Sequence, residues 1–173
     1  MTKKLLFISA IIFFAFLAAA SGDEGKTTGN GYDIKKKSIE IKAPVFNLMD
    51  ISGTKHSLSD YKGKTVLLFF TTTWCPHCKK DIPNLKKIHA AYRDSGLEII
   101  AIYIQESQKK VHSFATKYDL PYTILLDTEG LAARAYGIRG VPTKVLIDKN
   151  GTIQCWACRS LEVMLEELLG KGM

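Results

Sequence analysis

Thr65-Val-Leu-Leu-Phe-Phe-Thr-Thr-Thr-Trp74-Cys75-Pro76-His77-Cys78-Lys79-Lys80-Asp81 is the stretch whose reading decides the fold. The run Thr65 to Phe70 is apolar, β-branched and aromatic, and its length is that of a buried strand. Beyond the cysteines, Ile82, Leu85, Ile88, Ala91 and Tyr92 recur at helical spacing up to Arg93. The two cysteines therefore sit where a strand turns into a helix. Pro76 falls in the first helical turn, where a missing N–H costs nothing. Cys75 falls at the helix N-terminus, where free N–H groups and the macrodipole favour a thiolate, and Cys78 lies one turn in, more shielded. An exposed attacking sulfur beside a resolving sulfur is the arrangement that thiol–disulfide exchange needs. A bare C-x-x-C also fits a structural disulfide or half of a zinc site. Trp74 before the pair, Pro76 inside it, the strand in front and the helix behind favour redox chemistry.

Outward from this motif, the chain has 173 residues, 46% hydrophobic and 24% charged, which fits one globular domain with a substantial core. The net charge of +7 comes without an aromatic-interleaved basic patch, so nothing points to nucleic acid. Lys35-Lys36-Lys37 reads as a solvated run. Residues 1–20 read as a targeting segment: Lys3 and Lys4, then an apolar stretch to Leu17, then Ala18-Ala19-Ala20-Ser21-Gly22 for cleavage. Leu5 to Ala20 is short for a membrane-spanning helix, which favours a cleaved signal peptide over a retained anchor. Export places the cysteines outside the cytoplasm, where disulfides persist, with a bacterial periplasm as the expected compartment. Residues 21–38 are Gly-, Lys- and Thr-rich and read as a flexible linker, leaving residues 39–173 as the folded domain.

Within that domain, short apolar runs around Ser52-Gly53-Thr54 predict a β-hairpin, and Ser57 to Lys64 a loop or single helical turn. Pro83 sits inside the helix that follows the cysteines and is expected to kink it. Leu97 to Ile104 reads as a second buried strand, Lys109 to Tyr118 as a helix, and Thr123 to Asp127 as a strand. Thr128 to Tyr136 reads as a helix closed by Gly137. Thr143–Asp148 and Thr152–Gln154 form a hairpin turning at Asn150-Gly151. Ser160 caps a last helix, Leu161 to Leu169. The alternation predicts an α/β fold with a mixed central sheet.

Ser57-Leu-Ser-Asp-Tyr-Lys-Gly-Lys64, the Cys75–Cys78 motif, Lys79-Lys80-Asp81 and Gly140-Val141-Pro142-Thr143 together resemble the thioredoxin superfamily, in its extracytoplasmic TlpA/ResA-like, redoxin-related branch. The resemblance covers about Ile39 to Leu169. It implies a thioredoxin fold, a mixed central sheet flanked by helices with an N-terminal β-hairpin extension. It implies a protein thiol–disulfide oxidoreductase with Cys75 as nucleophile, Cys78 as resolving sulfur, and no cofactor or metal. By the same resemblance Pro142 is cis, and Val141 pairs with an extended substrate peptide across the motif. The implied substrates are protein disulfides, with apocytochrome c as the family's example, and the implied electron donor is a membrane thiol–disulfide carrier.

Asp81 stands where some ResA-like proteins carry a Glu that tunes the cysteines; one methylene shorter, it also reads as a solvated helix aspartate. Phe69 stands where plain thioredoxins hold a buried Asp. Glu106 matches a common polar position of the family. His77 pulls the other way. A cation or donor between the cysteines stabilises a thiolate and raises the reduction potential, and Pro-His is the dipeptide of strongly oxidising DsbA-like proteins. Disulfide donation or isomerisation therefore stands as the alternative direction. A peroxiredoxin pattern would need Pro where Leu68 stands, and a non-catalytic metal-binding module is the remaining class.

Cys155-Trp156-Ala157-Cys158 departs from the family, which does not normally carry a second C-x-x-C there. In this fold the last strand runs parallel to the motif strand, so the second pair ends on the same side of the sheet as Cys75. A structural or regulatory disulfide, a second redox pair and a zinc site are the three readings. Zinc on all four thiolates would silence the nucleophile, and the long separation of the pairs exceeds compact zinc-ribbon spacing.

Overall fold

A computed structural model describes residues 40–170. The targeting segment and the linker expected from the sequence lie outside the described residues. Among the described residues no helix is long and apolar enough to cross a membrane.

The strands are β1 (Asn47–Asp50), β2 (Lys55–Ser57), β3 (Thr65–Thr71), β4 (Leu97–Ile104), β5 (Thr123–Asp127), β6 (Thr143–Ile147) and β7 (Ile153–Trp156). They form one sheet in the order β2-β1-β5-β4-β3-β6-β7. The central strands β3, β4 and β5 are parallel, and β1, β6 and β7 join antiparallel to their neighbours. The helices are α1 (Pro76–Tyr92), α2 (Gln108–Tyr118), α3 (Leu131–Ala135) and α4 (Leu161–Leu169). This is the mixed α/β thioredoxin fold that the sequence predicts, with β1 and β2 as its hairpin extension.

Every residue of β3 is buried, as its unbroken apolar run requires. The period of two then divides its side chains between two cores. Leu67 and Phe69 join Leu85 and Ile88 of α1, Val111 of α2, and Leu161 and Leu165 of α4. Val66, Leu68 and Phe70 face the other way, toward Phe46, Tyr61 and Ala132, Ala133 of α3. Each fully buried aliphatic side chain adds roughly 1.5–3 kcal/mol before chain entropy is counted. These layers fix β3, and with it the point at which the chain leaves the sheet to begin α1.

Two local expectations shift. The third helix is Leu131–Ala135, shorter than the span Thr128 to Tyr136, because Gly130 adopts a left-handed φ of 65°. The Asp127 carboxylate then accepts the amide N–H groups of Ala132 and Ala133. Ser160 occupies the N-cap position of α4 but makes no side-chain capping bond. The turn before β3 is a 3-10 helix, Leu58–Tyr61. It is closed by a reciprocal box in which Ser57 Oγ accepts Ser59 N–H and Asp60 Oδ2 accepts Ser57 N–H.

Candidate active site

β3 ends at Thr71, the chain crosses Thr72-Thr73-Trp74, and α1 begins at Pro76. Cys75 is the N-cap of α1, with extended backbone at φ −73° and ψ 118°, and its Sγ accepts the Cys78 amide N–H at 3.2 Å. One of the four orphan N–H groups of the helix start is thus met by sulfur rather than by oxygen. Pro76 fills the first helical position. The two thiols are free.

Cys75 is not the exposed sulfur that the sequence leads one to expect. It is 4% exposed, against 2% for Cys78, and Trp74 projects instead, at 63%. The cause is the loop opposite. The Val141–Pro142 peptide is cis, and the Cys75 Sγ lies 3.8 Å from the Val141 carbonyl oxygen. The cis-proline loop therefore roofs the first sulfur. Beside this roof opens a cavity of about 580 Å³ with Val141, Pro142 and Trp156 in its walls.

Burial, and then the adjacent Cys75 sulfur, push the Cys78 thiol up to about 11. Cys78 stays protonated at neutral pH, as a waiting resolving group should.

Three polar groups near the motif follow from tertiary packing. Glu106, buried just after β4, accepts both the Thr73 amide N–H and the Thr73 hydroxyl at 2.6 Å, and pairs with Lys110 at 2.6 Å. It clamps the loop that carries Cys75. Asp81, one turn after Cys78 on α1, pairs with Lys144 of β6. Lys144 reaches it across the Phe69 ring, 5.7 Å from the centroid, in cation–π range. Asp81 is therefore not a merely solvated helix aspartate: it is half-buried and tied to the strand beyond the cis-proline. His77 is exposed in the first turn of α1.

Cys155 and Cys158 are joined to each other as a disulfide with a Cα–Cα distance of 5.5 Å. Among the described residues no three His, Cys, Asp or Glu side chains cluster as a metal site. Both sulfurs belong to half-buried residues packed against the core that holds Cys75 and Cys78. Cys155 pairs with Leu146, which pairs with Leu67 of β3; both pairings are antiparallel, so β7 runs parallel to β3.

Trp74, Cys75, Pro76, His77 and Cys78 thus share one strand-to-helix turn, Val141 and Pro142 close over it, and Asp81 stands a turn below. Lys144 was invisible to sequence reasoning because it reads as one polar residue in an apolar strand. That oddity, a lysine inside Thr143-Lys-Val-Leu-Ile147, is the signal that could have found it.

Residues 39–155 match the model of the AhpC/TSA family. The chain is 37% identical to the thiol-disulfide oxidoreductase ResA of Bacillus cereus (strain ATCC 10987 / NRS 248), across 99% of this chain and 98% of that one. It is 39% identical to the thioredoxin-like protein YneN of Bacillus subtilis (strain 168), across 75% and 80%. Among solved structures, a thiol:disulfide interchange protein described as DsbE from Chlorobium tepidum superposes with a TM-score of 0.71. Its identity is 29%, covering 76% of this chain and 97% of that one.

Proposed function

Because the chain belongs to the AhpC/TSA family and is a protein thiol–disulfide oxidoreductase, we propose that Cys75 is its attacking sulfur, Cys78 its resolving sulfur, and reduction of protein disulfides outside the cytoplasm its role. The observation that carries the assignment is the placement of the two sulfurs. Cys75 caps the helix and faces the cis-proline loop, whereas burial holds the Cys78 thiol up at about 11. In the reducing direction Cys75 Sγ attacks one sulfur of the substrate disulfide, and the other sulfur leaves as a thiolate. Cys78 then gives up its proton and displaces the substrate from Cys75. The chain ends as the Cys75–Cys78 disulfide and the substrate as a dithiol. Val141 supplies backbone for pairing with an extended substrate strand, and Pro142 shapes that edge. Trp74, Pro76, His77 and Asp81 tune the pair.

The physiological substrate we propose is the oxidised haem-attachment pair of apocytochrome c, with a membrane thiol–disulfide carrier returning electrons to Cys75–Cys78. The similarity to ResA and DsbE supports this reading. So does the expected targeting segment, either cleaved to leave a soluble domain on residues 39–173 or kept as an anchor.

Insulin reduction by dithiothreitol tests the chemistry. Cys75→Ser is expected to abolish catalysis, and Cys78→Ser to accumulate a mixed disulfide on non-reducing gels. Equal rates for wild type and Cys75→Ser would end the proposal. A peptide bearing an oxidised C-x-x-C-H pair tests the substrate, against the same peptide with His replaced. A preference for the former is expected.

His77 favours a second reading, disulfide donation. The Cys75–Cys78 reduction potential decides between them. A value near roughly −250 mV supports reduction, and one near about −120 mV supports donation.

A further inference from the structure

The mechanism uses two of the four cysteines and leaves Cys155–Cys158 without a task. Its placement is not that of a structural cross-link. A disulfide that closes so few residues restrains little of the unfolded chain. The segment is also held at both ends without it: β7, which carries Cys155, is paired to β6, and Leu161 and Leu165 of α4 are buried after Cys158. Between the sulfurs, Ala157 takes a left-handed φ of 49°, a conformation that costs a residue with a Cβ. The sulfurs belong to residues that are only half-buried, and the two residues between them are exposed. Exposed or strained disulfides are the labile ones.

The surroundings also accept the reduced form. Cys158 Sγ lies 3.7 Å from the Lys144 carbonyl oxygen and 3.6 Å from that of Cys155, so a thiol there finds acceptors at once. Lys144 is two residues beyond Pro142. Trp156 and Ala157 line the 580 Å³ cavity together with Gly140, Val141 and Pro142. A polypeptide seated in that cavity along the cis-proline edge would touch Trp156 and Ala157, the two residues between Cys155 and Cys158.

We infer that Cys155–Cys158 is a second thiol–disulfide exchange site, which accepts an electron pair from protein dithiols bound in that cavity. A partner thiolate attacks one sulfur of the disulfide, forming a mixed disulfide, and the other sulfur leaves as a thiolate and takes up a proton. The partner's second thiolate then attacks the partner's first sulfur, and the cysteine of this chain leaves as a thiolate and takes up the second proton. Cys155 and Cys158 end as two thiols and the partner as a disulfide, so two electrons and two protons enter this chain. The chain holds two such pairs.

The test is an equilibrium one on the wild-type protein under native conditions. The protein is poised in reduced and oxidised dithiothreitol, acid-quenched and differentially alkylated, and each pair is quantified by peptide mass. At the ratio where Cys75–Cys78 is half-reduced, about a tenth or more of Cys155–Cys158 is expected as thiols, with potentials close enough for exchange between the pairs. A smaller fraction there overturns the inference and leaves an inert cross-link. Should Cys75–Cys78 never titrate while Cys155–Cys158 does, the function proposed above fails and this site stands. Cys75→Ser/Cys78→Ser is expected to keep reversible titration of the second pair; loss of that titration in the folded variant would refute independent exchange.

Discussion

Glu106→Ala tests whether the loop carrying Cys75 is positioned by one buried carboxylate. The side chain of Glu106 is 3% exposed and accepts two bonds from Thr73, both at 2.6 Å. Truncation leaves the Thr73 amide and hydroxyl without acceptors in a buried loop, and each orphan costs about 1–3 kcal/mol. Removing a buried carboxylate returns some desolvation energy. Lys110, whose side chain is 53% exposed, rejoins water at little cost. The net loss is about 2–3 kcal/mol, the lower part of the range for two orphans. At a urea slope of about 2 kcal/mol/M the midpoint falls by roughly 1–1.5 M with the slope unchanged. Function is expected to fall separately. A freed Thr73 lets Trp74 and Cys75 drift from Val141, so the rate of mixed-disulfide formation with a protein substrate drops while Cys75 alkylation by a small reagent rises. Glu106→Gln keeps one acceptor oxygen and is expected to lose about half as much stability. Urea unfolding, insulin turnover and iodoacetamide kinetics on the same preparations read all three. An Ala variant within about 0.5 kcal/mol of wild type, the range of an ordinary surface substitution, with unchanged alkylation, would refute the clamp.

Three further outcomes are expected. The reduced protein is stabilised by holding the Cys78 proton, because its thiol is raised from 9.0 to about 11 on folding. That contribution is complete below pH 9 and is lost as pH rises through about 11. Stability relative to Cys78→Ala therefore falls across that window, by up to roughly 2–3 kcal/mol, as pH-dependent urea titration would show. Asp81→Asn and Lys144→Met break a half-buried ion pair, and a double-mutant cycle in urea is expected to return a coupling of about 0.5–3 kcal/mol; strict additivity would mean the pair does nothing. His77→Ser is expected to lower the Cys75–Cys78 reduction potential, because a donor or cation between the cysteines favours the thiolate. An unchanged potential would return His77 to the status of a spacer.

The site was partly legible. Pro76, Cys75 and Cys78 announce a helix start carrying two sulfurs, because capping and helix-start preferences act over four residues. The burial of Cys75 was not legible, since its roof is Val141, 66 residues away. Lys144 and Asp81 likewise meet across 63 residues, and only the pairing of Phe69 with Lys144 brings them to one face. Glu106 and Thr73 are 33 apart and meet because β3 and β4 run parallel in register, Thr71 beside Tyr103.

What the amino-acid order determined alone is whatever local physics can write. The apolar run Thr65 to Phe70 had to be buried on both faces. The spacing from Ile82 to Tyr92 had to be a helix packed on one side. The turn between them had to hold the first C-x-x-C at a helix start. Those choices depend on neighbours within one or two turns, and burial of apolar surface enforces them wherever the chain folds. What only the tertiary structure decided is which distant groups meet that turn: the cis-proline loop over Cys75, the carboxylate under Thr73 and the lysine reaching Asp81. These contacts cross the sheet from strand to strand. Register and strand order create them, and no local pattern encodes either.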